Sequence, residues 1–205
     1  MPERGMVGRP LSEVPHPVLT RRYGILTEVI ETLLLVLAIY VLVNLVTARF
    51  VVEGRSMEPN FHTDEFIIVS RLAYVLDDPE RGDVIVFHYD EDTNRDFIKR
   101  VIGLPGETVR LEEGQVYINN AEVPLEEPYI LEPCTVSSCN RPGGQSWELG
   151  PEEYFVMGDS RNHSEDSRSS RVGFIEREQI IGKAWIRYWP PDAWDLVQGF
   201  DHDDS

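Results

Sequence analysis

The sequence predicts a mostly β protein: an antiparallel β-sheet domain with a small loop-rich insertion, preceded by one N-terminal transmembrane helix. Three observations carry that reading. Residues 29–48 form a single apolar run, the apolar residues beyond Arg49 fall into short runs between turn formers, and charge is spread unevenly. Residues 1–24 carry a net +2, residues 25–50 a net -1 and residues 51–205 a net -18, within a total of -17. The acidic body argues against a nucleic-acid binder, whose footprint is basic. With 205 residues, 41% of them hydrophobic, the chain is long enough for one domain with a real core and too apolar to be disordered.

In chain order this gives a cytoplasmic segment over 1–24, then a transmembrane helix and membrane-exit segment over 25–50. An extracytoplasmic β-rich domain over 51–195 and an acidic tail over 196–205 complete the chain. The span proper reads VIETLLLVLAIYVLVNLVTA from Val29 to Ala48, with Glu31 its single charge. At about 1.5 Å per residue, 20 residues cover roughly 30 Å, the hydrocarbon thickness. Arg21 and Arg22 precede it and only Arg49 closely follows, which places the N-terminus in the cytoplasm. A cleaved signal needs a shorter apolar region and a small-residue cleavage site, which Ala48-Arg49-Phe50 does not offer. A buried soluble helix lacks apolar sequence downstream to wrap it.

Beyond the span, Phe66–Val69, Val84–Phe87, Phe97–Ile102, Val116–Ile118, Tyr154–Met157 and Ala184–Ile186 read as antiparallel strands between Gly, Pro, Asn and Asp turns. Asn119-Asn120, with Val123 beyond, suggests a hairpin. The insertion spans about 107–150, and its 124–150 part, rich in Pro and Gly, reads as loop. It holds Cys134 and Cys139, for which a small-loop disulfide and two free thiols both fit. No His lies near enough in sequence to complete a zinc set.

The chemistry lies in three segments. Gly54-Arg55-Ser56-Met57-Glu58-Pro59 offers a hydroxyl, which by itself is a turn residue and which needs a base to become a nucleophile. None of the five His stands in a convincing setting for that base. Phe97 to Glu107 supplies another candidate, Lys99, in a chain with only two Lys. On a strand, Phe97, Lys99 and Val101 share a face, and apolar neighbours lower a lysine pKa toward neutrality. A neutral amine can accept a proton from Ser56, whereas an arginine could not. Taken alone, Lys99 better suits a lysine snorkelling from a strand edge. Lys183, the other lysine, precedes an apolar run without a companion motif and reads as structural. The third segment, Gly158 to Arg168, is dense in hydroxyls and alternating charge: a solvated loop, or a shell that orients the amine.

Gly-x-Ser-Met-x-Pro, then Lys-Arg-x-x-Gly-x-Pro-Gly, then Gly-Asp-x-Arg-x-x-Ser-x-Asp-Ser-Arg, after an N-terminal span, resembles bacterial type I signal peptidase. The resemblance covers about residues 25–190, with 43 positions between Ser56 and Lys99. It implies a membrane-anchored serine endopeptidase that removes signal peptides from exported preproteins, cutting after small residues of the Ala-x-Ala type. Its partners would be membrane lipid and signal peptides, with no cofactor, metal or nucleic acid. Ser56 matches the family nucleophile, Lys99 its general base and Ser164 the hydroxyl that orients the lysine. Asp166 and Arg168 match a bracing pair, while Asp159 and Arg161 match the start of that loop. Phe50, Val52, Met57, Val86, Phe97 and Ile98 fall where the family lines its substrate pockets. The substrate would add as a β-strand beside residues 96–99. Some members carry a Ser where this chain has Gly54, so the oxyanion would rest on backbone N–H groups, that of Ser56 foremost. Asn60 and Ser160 replace a Thr and an Asn, and neither is expected to touch the dyad.

Other signals are weaker. Asp90-x-Asp92-x-Asn94-x-Asp96 starts like a calcium loop but lacks its Gly and closing Glu, so it reads as a hairpin tip. A self-cleaving repressor peptidase also uses a Ser–Lys dyad, but the span and the acidic body oppose it. A membrane-anchored binding module would leave Ser56 inert to acylating agents, and a specialised peptidase for one exported substrate would carry the same motifs.

Overall fold

A computed structural model describes residues 19–90, 95–135, 139, 143–197 and 199–200. The residues before 19, the tip at 91–94 of the rejected calcium loop and the tail from 201 lie outside the described residues.

Helix α1 runs from Leu19 to Val46, and its Gly24–Val46 stretch is the one helix among the described residues long and apolar enough to cross a membrane. Leu, Val and Ile occupy all its faces and are exposed from Ile25 to Leu45, the pattern of a helix whose solvent is lipid. The helix stops two residues short of the expected end of the span. Thr47 and Ala48 instead open strand β1 (Thr47–Val51), where Thr47 pairs with Ser70 and Ala48 with Val69 of β2 (Phe66–Ser70). Pairing with a neighbouring strand outweighs the weak helix preference of β-branched Thr47.

A short helix, α2 (Ala73–Leu76), leads to β3 (Val84–Asp90) and β4 (Arg95–Gly103). Then come β5 (Thr108–Glu112), β6 (Gln115–Ile118), β7 (Gln145–Glu148), β8 (Glu153–Met157), β9 (Ile175–Glu176), β10 (Ile180–Trp189) and β11 (Asp195–Leu196). The main sheet has the order β1-β2-β10-β3-β4-β8-β9, with β11 on β10, and all of its pairs are antiparallel. The six expected runs all lie on strands. A second sheet, β6-β5-β7, occupies part of the 107–150 region.

The hairpin lies on the opposite side of β6 from the one expected. Asn119 opens a turn, but Val123 is exposed and in no strand, and β6 pairs backward with β5. Glu112 and Gln115 are partners, so the loop is Glu113-Gly114, with φ of 51° and 80°. Two successive positive φ values make the tight turn that suits strand twist, and Gly at the second eases it.

Two packed clusters bear on the site. One joins the sheets through Ile102, Val109, Leu111 and Phe155, with the Cys134–Cys139 disulfide buried in it. The pairing is thus a disulfide rather than two thiols. The other, Val52, Met57, Phe61, Ile67, Val69 and Val86, lies under the 52–65 loop. Each fully buried side chain of this kind contributes about 1.5–3 kcal/mol, enough to fix the loop above it.

Candidate active site

The loop that carries Ser56 is closed at its base by backbone bonds from Val52 N–H to Glu65 and from Asp64 N–H to Val52. Met57, 1% exposed, anchors it from below, and Gly54 turns it with φ +86°, a conformation that side chains other than Gly avoid. Met57 therefore belongs to the core and does not line the cleft expected of it: the turn at Gly54 sends Ser56 outward and its neighbour inward. The Gly54 turn also bears on the absent oxyanion hydroxyl, since a Ser at that position would have to sit at the same positive φ.

Lys99 stands on β4 opposite Ile85 of β3, beside the Phe97 ring at 5.2 Å from its centroid. Its amine lies 2.8 Å from Ser56 Oγ and 2.9 Å from the Ile98 carbonyl. The side chain is 4% exposed, and burial lowers its pKa from 10.5 to about 8, against the opposing pull of Asp166 and Asp159. The expected face-sharing of Phe97 and Lys99, and the expected proximity of Ser56 and Lys99, are both present. The other lysine, Lys183, forms an ion pair with Asp83.

Behind the pair, the loop after β8 is held by three buried arginines. Arg168 grips Asp166 at 2.7 and 2.8 Å, donates to the Arg161 carbonyl at 2.9 Å and directs Nη1 at both disulfide sulfurs. Burial works against the Asp166 charge, yet the Arg168 guanidinium and the Gly158 N–H hold its carboxyl below the usual carboxylate range. Asp159 and Arg161, neighbours in the motif, do not pair with each other. Asp159 takes two bonds from Arg100, at 2.8 and 2.7 Å, and Arg161 is bound to Glu127. Sequence reasoning assigned no role to Arg100 or Glu127. Arg100 stood in the quoted Lys-Arg motif, which was a usable signal, whereas nothing marks Glu127.

Two more contacts join this loop to the nucleophile. Ser160 N–H donates to the Ser56 carbonyl at 3.0 Å, so the replaced Ser160 does touch the dyad, through its backbone. Asn60 donates to Asp159 at 2.7 Å and to the Tyr129 carbonyl at 2.8 Å. Gly158 lies so close that a Cβ there would meet Ser164 Oγ at 2.3 Å and the Ser56 carbonyl at 2.4 Å. Ser164 Oγ is buried beside Asp166, whose charge it helps to hold, and makes no hydrogen bond to Lys99. Ser56 N–H has no described acceptor.

A cleft of about 650 Å³ ends at the pair. Phe50, Val52, Val86, Phe97 and Ile98 line it, which brings together five of the six expected pocket residues. Its β4 wall keeps an open backbone edge, because β8 pairs with β4 only from Arg100 onward. A hydroxyl against a desolvated amine, at the end of a cleft with an apolar patch and a free strand edge, can be acylated by an extended peptide.

A sequence model of the family described as signal peptidase, peptidase S26, matches residues 26–189. A signal peptidase I of Leptolyngbya laminosa is 39% identical over 179 residues, covering 80% of this chain and 80% of its own. A probable signal peptidase I-2 of Synechocystis is 36% identical over 165 residues, covering 76% of this chain and 68% of its own. Signal peptidase I U of Bacillus subtilis is 35% identical over 176 residues, covering 84% and 92%.

Proposed function

This chain belongs to the signal peptidase family, peptidase S26, and on that footing we propose that Ser56 is its nucleophile and Lys99 its general base. Its activity is that of a type I signal peptidase, a serine endopeptidase that removes signal peptides from preproteins. The observation that carries the assignment of residues is the 2.8 Å contact between Lys99 Nζ and Ser56 Oγ in a site where burial brings the amine to about 8.

The preprotein lies extended along the open edge of β4, with small side chains before the cut facing Phe50, Val52, Val86, Phe97 and Ile98. Such walls suit an Ala-x-Ala sequence. Neutral Lys99 takes the Ser56 proton as Oγ bonds to the scissile carbonyl carbon. The carbonyl electron pair moves onto oxygen, where the unengaged Ser56 N–H is placed to donate. The Lys99 ammonium then gives its proton to the leaving amine as the C–N bond breaks. A water that yields its proton to the same lysine hydrolyses the acyl-enzyme.

Once acylated, Ser56 Oγ is lost as a proton donor to the lysine. The buried hydroxyl of Ser164, in the same loop, is the group we assign to orienting the amine at that stage. Asp166 with Arg168, and Asp159 with Arg100, brace the loop from behind, while Arg161 ties it to Glu127. The apolar helix α1 anchors the chain in the membrane, and the arginines ahead of it put the N-terminus in the cytoplasm and the β domain outside.

Cleavage of a preprotein with an Ala-x-Ala site by the detergent-solubilised chain, beside its Ser56→Ala form, tests the assignment. Cutting after the second Ala by the unaltered enzyme alone is expected. Cutting at the same bond by Ser56→Ala would refute the nucleophile.

A further inference from the structure

The first cleft has a continuation on the far side of the Ser56 loop. Its walls are residues 50–56 on one side and 95–99 on the other, so Ser56 and Lys99 close one end of it. A second cleft of about 320 Å³ begins at that end and shares Arg55 and His163 with the first. A peptide attacked at Ser56 has its acyl half in the first cleft. Its amine half, the start of the mature protein, must leave past the dyad, where the shared Arg55 and His163 mark the way on.

The second cleft lacks the apolar patch of the first. Phe50, Val52 and Phe97 give way to Glu58, His62, Glu132 and Asn162. Most of these polar groups are already engaged. Arg55 and Glu58 form an ion pair at 3.0 Å, and His62 faces Glu65 at 3.6 Å. Asn162 accepts from Thr135 N–H at 2.8 Å and donates to the Pro133 carbonyl. Asp159 and Arg161 reach this wall too, but are bound to Arg100 and Glu127. Glu132 alone is an exposed carboxylate with no hydrogen bond or ion pair among the described residues.

We propose that this second cleft holds the first residues of the mature protein, and that Glu132 makes it favour basic over acidic side chains there. The inference rests on Ser56 as the nucleophile and extends that reading to the other side of the cut. A partly exposed charge contact of this kind changes kcat/KM by up to about fivefold at low ionic strength and fades as salt is added.

The test uses three peptides with one Ala-x-Ala sequence and Lys, Ala or Glu at the second and third positions after the cut. The full chain in detergent and its Glu132→Lys variant are each assayed on all three. Ratios taken within one enzyme cancel any difference in folded protein. The expected order for the unaltered enzyme is Lys over Ala over Glu, and Glu132→Lys should reverse it. A second peptide set carries the same charges five residues before the cut, where Glu132→Lys should change no ratio. An unchanged order in the variant, or a reversal in both peptide sets, would overturn the subsite. If the Ala peptide is cut but charge makes no difference, the subsite fails and the dyad stands. If the Ala peptide is not cut at all, both fail together.

Discussion

Replacing Lys99 by Met removes an amine that the fold buries against its chemical preference, so the variant should lose activity and gain stability near neutral pH. The lysine is 4% exposed, and its pKa falls from 10.5 to about 8. At 1.36 kcal/mol per unit, that is about 3 kcal/mol of preference for the uncharged form. The folded pKa lies below the unfolded one, so the unfolded chain holds the proton more tightly. The resulting cost to stability is fully present below about pH 8 and disappears as pH rises through about 10.5. Met carries no proton and has no such term. The advantage of Lys99→Met over the unaltered chain should therefore shrink by about 2–3 kcal/mol between about pH 7 and about pH 10. The lost bonds to Ser56 Oγ and the Ile98 carbonyl set an offset that does not change with pH over that range. Urea unfolding in detergent, followed by the fluorescence of the four Trp, gives the two curves. An equal gap at both pH values would refute the claim that burial lowers the Lys99 pKa.

Two further perturbations probe the support of the pair. Gly158→Ala places a methyl 2.3 Å from Ser164 Oγ and 2.4 Å from the Ser56 carbonyl. Overpacking of this sort costs about 1–3 kcal/mol, and a displaced nucleophile lowers kcat by about 10²-fold; thermal melting and steady-state kinetics read the two effects. Replacing Cys134 and Cys139 together by Ser opens a small loop worth about 2 kcal/mol by closure entropy and leaves Arg168 without its sulfur contacts. Melting and cleavage assays should both show a loss, which dithiothreitol should reproduce in the unaltered chain, and an unchanged rate would separate the disulfide from the site.

Much of the fold was legible because its signals are local. An apolar run of helix-spanning length and short β-branched runs between turn formers need no knowledge of distant partners. Ser56 and Lys99 stand out through motifs whose residue types suit one chemistry, and the fold brings them to 2.8 Å. What escaped depends on pairing or direction. The hairpin was placed after β6 because Asn119-Asn120 resembles a turn, while the true turn, Glu113-Gly114, puts a non-glycine residue at positive φ. Met57 sits beside the nucleophile in sequence, but the Gly54 turn points it into the core. Asp159 and Arg161 stand two residues apart at the start of the loop motif, yet each binds a residue from another part of the chain: Arg100 is 59 positions away and Glu127 34. Spacing alone cannot reveal such pairs, because the sheet order that joins them is set by the whole domain.

The central claim is that an uncharged lysine activates Ser56, and the initial rate of preprotein cleavage against pH tests it most directly. Only the neutral amine can accept the serine proton, so the rate should rise with pH and reach half its plateau near the value of about 8 that burial gives Lys99. A rate that stays level from about pH 6 to about pH 10 would contradict the lysine as base.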